Sequence, residues 1–381
     1  MDNYKFTFPV EYFKFHKEQV FNFQLNRWYS WGYTLYEDME EAGRKVKNFE
    51  DWKKAMLMLA AKAEAEDRPI NAAFYYRAAE FYTFKDEPDK EELYYKFNEA
   101  FYSAFKNDEI KQFKIPYEDS FLPAIRVQPS GIKKGTIVLH GGFDSFMEEF
   151  YSWMLYFSDF GYEVIAFEGP GQGSSRIKYG LTITIEWEKP VKALLDFLKL
   201  DDVTLIGLSM GGFFCLRAAA FEPRIKRVIA NGHAIDYMQS YGTVLRVMHE
   251  FFIKKFSNYS NKLILKAIKK RQGMQAWFSA QLMDITGKDL PMDAFVFFLQ
   301  MNKENQRAEL IKQDVFIISS ESDHFVPIKM HKKQLEALTN AKSVTDRIFK
   351  KEEHAHNHCQ VGNVGLALET MKQWIEEKTN S

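Results

Sequence analysis

A serine in a glycine-rich turn carries the strongest chemical signal in this sequence. Ser209 lies in the segment Gly207-Leu-Ser-Met-Gly-Gly212, which has the G-x-S-x-G spacing of a nucleophile elbow. The apolar run 203–206 precedes it, and an apolar helical pattern through Phe213 and Leu216 follows it. A tight turn between a strand and a helix raises the hydroxyl above the sheet and directs the N–H groups of the helix start toward a developing anion. The spacing therefore predicts that Ser209 is a nucleophile.

A serine hydroxyl needs a base to take its proton and a carboxylate to orient that base. In proteins with such an elbow, the acid and then the histidine follow the serine along the chain. Asp323 comes just after the apolar run 315–318, at the strand end where open α/β sheets place their sites. Glu321 is the competing acid. We favour Asp323 because it lies farther into the loop, clear of the strand end.

Three histidines compete for the role of base. His354, His356 and His358 alternate in the loop before the last predicted helix, and their spacing alone does not select one of them. Alternating histidines also occur in metal sites, but no cluster of Cys and His at zinc spacing occurs elsewhere in the chain. The stretch 169–173 lacks the G-x-G-x-x-G spacing of a nucleotide-binding loop. We therefore expect no metal, nucleotide or other cofactor.

Short apolar runs that end in glycine or polar turns must position these side chains. With helical patterns between most of them, such runs are typical of buried parallel strands. Alternating strands and helices predict the α/β class, with a mainly parallel sheet flanked by helices. The predicted strands are 136–140, 163–167, 203–206, 227–230, 315–318 and 345–349, and the final helix is predicted at about 364–377.

The first 112 residues differ in composition from the rest of the chain. They hold only Gly32 and Gly43 of the 20 glycines, and they are rich in Phe, Tyr and Trp. Apolar residues recur there at helical spacing in three stretches, 49–67, 71–84 and 89–105. We therefore predict a helical N-terminal domain, 1–112, that contributes either walls to the site or a subunit interface in a homodimer.

A second helical segment interrupts the core. Residues 237–310 have no strand signal, so we predict a helical cap there and an α/β core made of 113–236 and 311–381. Core packing and an adaptable lining for an apolar substrate explain its apolar side chains equally well. Those side chains are Met238, Met248, Phe251, Phe252, Met274, Phe278, Met283, Phe297 and Phe298.

Overall composition excludes several classes of protein. Hydrophobic residues make up 46% and charged residues 27% of 381 residues, which is typical of a globular protein. Lys and Arg number 51 against 52 Asp and Glu, so no excess of positive charge favours nucleic acid or an anionic membrane. No apolar run is long enough to span a bilayer. With two cysteines and no signal-peptide pattern at its start, we expect a cytoplasmic protein.

Four motifs together resemble a known family. The chain is similar to a branch of the α/β-hydrolases with a helical N-terminal domain and a helical cap. That branch includes 2,6-dihydroxypseudooxynicotine hydrolase, fungal hydrolases that shorten polyketides, and bacterial acylaminoacyl-peptidase-like proteins. The resemblance spans essentially the whole chain and is most specific at 136–215 and around His358. The motifs are His140-Gly-Gly-Phe-Asp-Ser145 with Glu148-Glu149, Glu168-Gly-Pro-Gly-Gln-Gly-Ser174, Gly207-Leu-Ser-Met-Gly-Gly212 and His358-Cys-Gln-Val-Gly-Asn363.

The resemblance implies a role for individual residues. It implies Ser209 as nucleophile, Asp323 as orienting acid and His358 as base. It also implies an oxyanion hole made of backbone N–H groups from Met210 and Phe143, with Gly142 as the near alternative to Phe143. Asp144 and Glu148 match acidic positions of the same loop, where they would bind substrate, order the loop, or simply begin a charged helix.

We therefore expect a serine hydrolase that acts through an acyl-enzyme on a small, partly apolar ester, amide or ketone. The same machinery serves all three bond types, so the sequence leaves the type of bond open. The alternative is a non-catalytic regulatory or binding protein that retains the fold.

Overall fold

The computed structural model describes residues 4–129, 131–237, 247–248, 251 and 255–380. Within these residues, eight strands form one sheet. Met238 and Phe252 of the predicted cap lie outside the described residues. The strands are β1 (Lys111–Tyr117), β2 (Ser120–Val127), β3 (Gly135–His140), β4 (Tyr162–Phe167), β5 (Val203–Leu208), β6 (Ile225–Asn231), β7 (Asp314–Ser320) and β8 (Ser343–Phe349).

The sheet confirms the predicted α/β class and its mainly parallel strands. Its order is β1-β2-β4-β3-β5-β6-β7-β8, and every pair from β4 to β8 in that order is parallel. All six predicted strands are present. Each observed strand contains the predicted one and extends it by at most two residues at either end. Strands β4, β5 and β7 are buried along their whole length. Burial on both faces explains why these strands are continuous apolar runs.

The antiparallel hairpin at one edge is absent from the predicted strands. Strand β1 pairs antiparallel with β2 from Lys111 opposite Arg126 to Tyr117 opposite Ser120, and β2 then pairs antiparallel with β4. Prolines interrupt both strands, Pro116 in β1 and Pro123 in β2. A proline lacks the N–H that a sheet ladder needs, so a segment that contains one is less readily predicted as a strand from its sequence pattern.

The helices are present where the periodicity predicts them, and two more precede them. Asn48 caps α3 by accepting the N–H of Asp51 at 2.9 Å, and Pro69 stands in the first turn of α4. None of the helices in the described part of the chain combines the length and the apolar character needed to cross a bilayer. The helices are α1 (Gln19–Ser30), α2 (Tyr36–Lys45), α3 (Phe49–Ala65), α4 (Pro69–Phe81), α5 (Lys90–Ala104), α6 (Tyr151–Asp159), α7 (Gly173–Ile177), α8 (Glu188–Leu198), α9 (Met210–Phe221), α10 (Ser257–Lys269), α11 (Gly273–Thr286), α12 (Pro291–Gln300), α13 (Lys303–Gln306), α14 (Lys329–Ala337) and α15 (Val364–Thr379).

The chain divides into two compact units. The first comprises Met1–Asp108, Phe256–Ala294 and Val361–Asn363. The second comprises Glu109–Lys255, Phe295–Gln360 and Val364–Ser381, and it contains the sheet. The predicted domain bounds, 1–112 and 237–310, stay predictions.

Helix α11 packs against the end of α4 within the first unit. The indole Nε1 of Trp277 donates to the backbone oxygen of Phe81 at 3.0 Å, and the two rings stack with centroids 5.1 Å apart. Lys85 forms an ion pair with Asp284 beside this contact. Trp277 is 6% exposed, so it joins segments far apart in the sequence through a buried contact.

Replacing Trp277 by alanine should therefore destabilise the first unit by about 3–5 kcal/mol, because a large buried side chain and its hydrogen bond are lost. Tyr259→Ala is the matched control, since Tyr259 lies on α10 and is 66% exposed. That change should stay within about 0.5 kcal/mol. Urea unfolding followed by circular dichroism measures both. Equal effects of the two changes would show that α11 contributes little to the stability of this unit.

Candidate active site

Ser209 occupies a strained turn between β5 and α9. Its backbone has φ 57° and ψ −130°, a conformation that non-glycine residues seldom adopt. The N–H of Ser209 donates to the backbone carbonyl oxygen of Asn231 at 2.8 Å, and the carbonyl oxygen of Ser209 accepts the N–H of Gly212 at 2.9 Å. These bonds hold the turn, and the residue is half-buried rather than enclosed.

The glycines on either side of Ser209 permit a close approach of backbones. A Cβ atom at Gly207 would lie 2.1 Å from the carbonyl oxygen of Gly211. One at Gly211 would lie 2.5 Å from the carbonyl oxygen of Gly141. Both distances are well below van der Waals contact, so the G-x-S-x-G spacing is a steric requirement of this turn.

The structure brings Ser209, His358 and Asp323 together in one chain of hydrogen bonds. Nε2 of His358 lies 2.9 Å from Oγ of Ser209, and its Nδ1 lies 2.6 Å from Oδ2 of Asp323. The other carboxylate oxygen of Asp323 accepts the backbone N–H groups of Phe325 and Val326 at 2.8 and 2.9 Å. All of these residues belong to the second unit.

Burial and charge act in opposite directions on His358. Its burial lowers the pKa, but the adjacent Asp323 carboxylate, itself 3% exposed, stabilises the imidazolium. The resulting pKa of His358 lies well above its ordinary value of 6.5. An imidazole placed this way can accept a proton from an adjacent hydroxyl group.

The competing candidates lie in other environments. The carboxylate of Glu321 accepts the N–H of Lys351 at 2.7 Å on an exposed surface. His354 is exposed and ends a short 3₁₀ turn with φ 57°. Nε2 of His356 lies 3.5 Å from Nδ2 of Asn357, and burial lowers the pKa of His356. Geometry thus separates His358 from the two histidines that spacing leaves equivalent, and it brings Asp323, rather than Glu321, to His358.

The loop after β3 lies against the start of α9. A Cβ atom at Gly142 would lie 2.7 Å from the backbone nitrogen of Met210, so the two predicted N–H donors, Phe143 and Met210, lie in adjacent segments. Phe143 and Asp144 are half-buried. Glu148 is buried in the 3₁₀ turn Met147–Phe150. The predicted roles of Asp144 and Glu148 stay predictions.

Two buried residues of the β4–α7 loop have no role in the sequence-based prediction. Nε2 of Gln172 donates to the carbonyl oxygens of Gly141 and Gly142, both at 2.8 Å. The carboxylate of Glu168 accepts the N–H groups of Met147 and Ser174 at 3.1 and 2.6 Å. Both residues belong to the motif 168–174 of the sequence analysis, but the spacing within that motif does not predict which groups they bind.

Aromatic rings lie beside the site within the second unit. The rings of Phe143 and Phe298 stack with centroids 6.5 Å apart, and Tyr237 lies 5.7 Å from Phe298. The ring of Phe325, which is 58% exposed, meets the His358 imidazole edge-on at 4.9 Å. Apolar surface therefore lies beside both the loop after β3 and the histidine.

Comparison with known proteins identifies a family. A family model described as "alpha/beta hydrolase fold" matches residues 136–356, more than half of the chain. The chain is 31% identical over 254 residues to "Hydrolyase poxO" of Penicillium oxalicum, a match covering 56% of this chain and 60% of that protein. It is 25% identical over 396 residues to "Alpha/beta hydrolase psoB" of Aspergillus fumigatus, covering 89% and 87%. The match to the Penicillium protein thus spans less than two thirds of that protein's length.

A solved structure shares the fold over nearly the whole chain. The crystal structure of the 2,6-dihydroxy-pseudo-oxynicotine hydrolase superposes with a TM-score of 0.65 at 18% identity, covering 92% of this chain and 94% of that one. The predicted fold, including the N-terminal helices, is thereby confirmed.

The buried carboxyl of Glu168 should make stability depend on pH. Burial and repulsion from Glu148 raise the pKa of Glu168 from 4.5 to about 8. The folded state therefore holds a proton that the unfolded state releases, and this contribution is complete below about pH 4.5 and lost as the pH rises through about 8. Removing the repulsion with Glu148→Gln should flatten this loss, as seen in melting temperatures measured from pH 5 to 9.

Glu336→Gln is the control for that measurement, because Glu336 is 64% exposed and should leave the slope unchanged. The same slope in the wild type and in Glu148→Gln would contradict coupling between the two carboxyls.

Proposed function

Because this chain belongs to the α/β-hydrolase fold family, we propose that it is a serine hydrolase with Ser209 as nucleophile, His358 as base and Asp323 as orienting acid. The observation that carries the proposal is the 2.9 Å contact between Ser209 Oγ and a histidine that is held by a buried carboxylate. The Aspergillus relative, named as an alpha/beta hydrolase, supports the reaction class.

The reaction begins with proton transfer. Nε2 of His358 takes the hydroxyl proton of Ser209 as the serine oxygen attacks the substrate carbonyl carbon, which forms a tetrahedral adduct. The charge on the former carbonyl oxygen then faces the N–H groups of Met210 and Phe143. The N–H of Met210 suits this role because it belongs to the first turn of α9, where backbone donors have no partner within the helix.

Collapse of the adduct completes acylation. His358 returns its proton to the leaving group, whose bond to carbon breaks, and the acyl group remains on Ser209. A water molecule then loses a proton to His358 and attacks the acyl carbon, which releases the acid and restores the serine hydroxyl. The carboxylate of Asp323 stabilises the imidazolium in both halves of the cycle.

The substrate that suits this site is small and partly apolar. Phe143, Phe298 and Phe325 present rings near the loop after β3 and near His358. Such rings favour an apolar or aromatic group beside the reacting carbonyl. An ester, an amide or a ketone cleaved between two carbons all fit the steps above, because only the leaving group differs.

The chain offers an internal comparison for the reactivity of Ser209. A second serine, Ser319 in β7, lies 2.9 Å from Nδ1 of His331, whose Nε2 lies 3.0 Å from Oδ2 of Asp346. This set contains the same residue types without the strained turn. Ser319 also differs from Ser209 in being 8% exposed and in facing Nδ1 rather than Nε2 of its histidine.

A fluorophosphonate should label the protein on Ser209, because phosphonylation uses the same activated oxygen and the same oxyanion donors as acylation. Ser209→Ala should abolish the adduct and His358→Ala should slow labelling by about 10³-fold or more. Mass spectrometry of the labelled protein locates the adduct, and hydrolysis of 4-nitrophenyl butyrate follows turnover.

Ser319→Ala is the matched control and should leave the labelling rate unchanged. Absence of an adduct on folded wild-type protein, with both a fluorophosphonate and a smaller phosphorylating reagent, would favour a non-catalytic binding protein that retains the fold.

Activity should rise with pH through the pKa of His358, because only the neutral imidazole accepts the serine proton. The acid limb of kcat/KM is therefore expected above pH 6.5, the ordinary value. Asp323→Asn should lower kcat by about 10³–10⁴-fold and move the limb to lower pH, since the carboxylate that contributes most to raising the pKa of His358 is then replaced by a neutral amide. A limb that stays at the same pH in this variant would contradict the assignment of Asp323.

A further inference from the structure

The side chain of Gln172 makes three hydrogen bonds in a buried site beside the loop after β3. Its Oε1 accepts the N–H of Gly169 at 3.0 Å, which fixes the orientation of the amide. Its Nε2 donates to the carbonyl oxygens of Gly141 and Gly142, both at 2.8 Å. Gln172 is 3% exposed, so water does not readily replace these bonds.

This arrangement fixes the direction of one peptide group. The chain has no cis peptide bonds among its described residues. In a trans peptide the C=O and the N–H point in opposite directions, and the carbonyl of Gly142 shares its peptide with the N–H of Phe143. Because that carbonyl points to Gln172, the N–H of Phe143 points away from Gln172.

The same loop segment also lies against the elbow. Gly142 is in contact with the start of α9, since a Cβ atom there would lie 2.7 Å from the nitrogen of Met210 and 3.0 Å from that of Gly211. The loop segment thus contacts both the amide of Gln172 and the turn that carries Ser209.

We infer that Gln172 is a positioning residue that holds the N–H of Phe143 in the oxyanion hole, an inference that rests on the proposed serine hydrolase function. Gly141 and Gly142 have the conformational freedom to let this peptide rotate. Without the amide, rotation would turn the carbonyl oxygen of Gly142 toward the developing oxyanion. That exchange replaces an attractive dipole with a repulsive one and raises the barrier to acylation.

A second contact restrains the far end of the same loop. Oε1 of Glu168 accepts the N–H of Met147, and Oε2 accepts the N–H of Ser174. A Cβ atom at Gly173 would lie 1.9 Å from Oε1 of Glu168, so glycine is required beside this carboxyl. The β4–α7 loop therefore contacts the loop after β3 at both ends, and Gln172 acts at the end that carries Phe143.

The test compares two glutamines that each donate to a backbone carbonyl. Gln172→Met keeps the length and shape of the side chain but removes the donor. Gln313→Met is the matched control, because Nε2 of Gln313 donates to the carbonyl of Ala219 at 2.8 Å, at the amino ends of the strands. Gln172→Glu is a second variant of the same shape, which keeps an acceptor for Gly169 but, when ionised, cannot donate.

Hydrolysis of 4-nitrophenyl butyrate and inhibition by a butylboronic acid measure the effect. We expect Gln172→Met to lower kcat about 10- to 100-fold with KM within about twofold, because the interaction is made mainly in the transition state. The boronic acid forms a tetrahedral adduct on serine, so its inhibition constant should rise by a similar factor. Inhibition by butyrate, a ground-state ligand, and the activity of Gln313→Met should not change.

Each other outcome rejects a stated claim. Unchanged kcat and boronic acid inhibition in Gln172→Met, with an active wild type, would overturn the inference and leave the proposed function intact. A loss of melting temperature with an equal rise in the inhibition constants for boronic acid and butyrate would also overturn it, in favour of a structural role. A folded wild type that neither hydrolyses the ester nor reacts with a fluorophosphonate would overturn the proposed function and the inference together.

Discussion

The strained backbone of Ser209 is the constraint on which the rest of the site depends. A serine with φ 57° is disfavoured by about 1–3 kcal/mol, and the surrounding fold must hold it there. Strand β5 fixes the residue from one side through its ladder, and the bond from the Ser209 N–H to Asn231 fixes it from β6. The turn therefore requires the central strands of the parallel sheet to be in register.

The same turn determines where the other groups must be. With the hydroxyl raised above the strand ends, a base can reach it only from loops at that edge, and His358 comes from the loop after β8. Asp323, from the loop after β7, meets the far side of the imidazole. Neighbouring parallel strands β7 and β8 thus deliver acid and base side by side, although 35 residues separate them in the sequence.

Prediction from sequence succeeded for strands and turns that are determined by nearby residues. Short runs rich in apolar residues identified the strands β3 to β8, and the steric demand for glycine around Ser209 explains the spacing of the elbow. The hairpin β1–β2 was missed because its strands contain proline and one of them lies at the sheet edge.

The other features that were not predicted depend on contacts between residues far apart in the sequence. The choice among three histidines rested on a resemblance, since alternation in a loop does not say which ring turns inward. Gln172 looks like an ordinary turn residue until its two carbonyl partners, about 30 positions earlier, are known. Likewise, the hydrogen bond from Trp277 to Phe81 joins residues 196 positions apart, and hydrophobic periodicity does not predict contacts between distant segments.

Ser319 shows why residue types alone do not define such a site. It forms a serine, histidine and aspartate set with His331 and Asp346, yet it lies within β7, paired with Ile348 of β8. In a regular strand the neighbouring N–H groups serve the sheet ladder, so none is free to receive an oxyanion. At Ser209 the next residues form the first turn of α9, whose N–H groups have no partner within the helix. The two serines also differ in burial and in which histidine nitrogen they face, but only Ser209 has the backbone of the elbow.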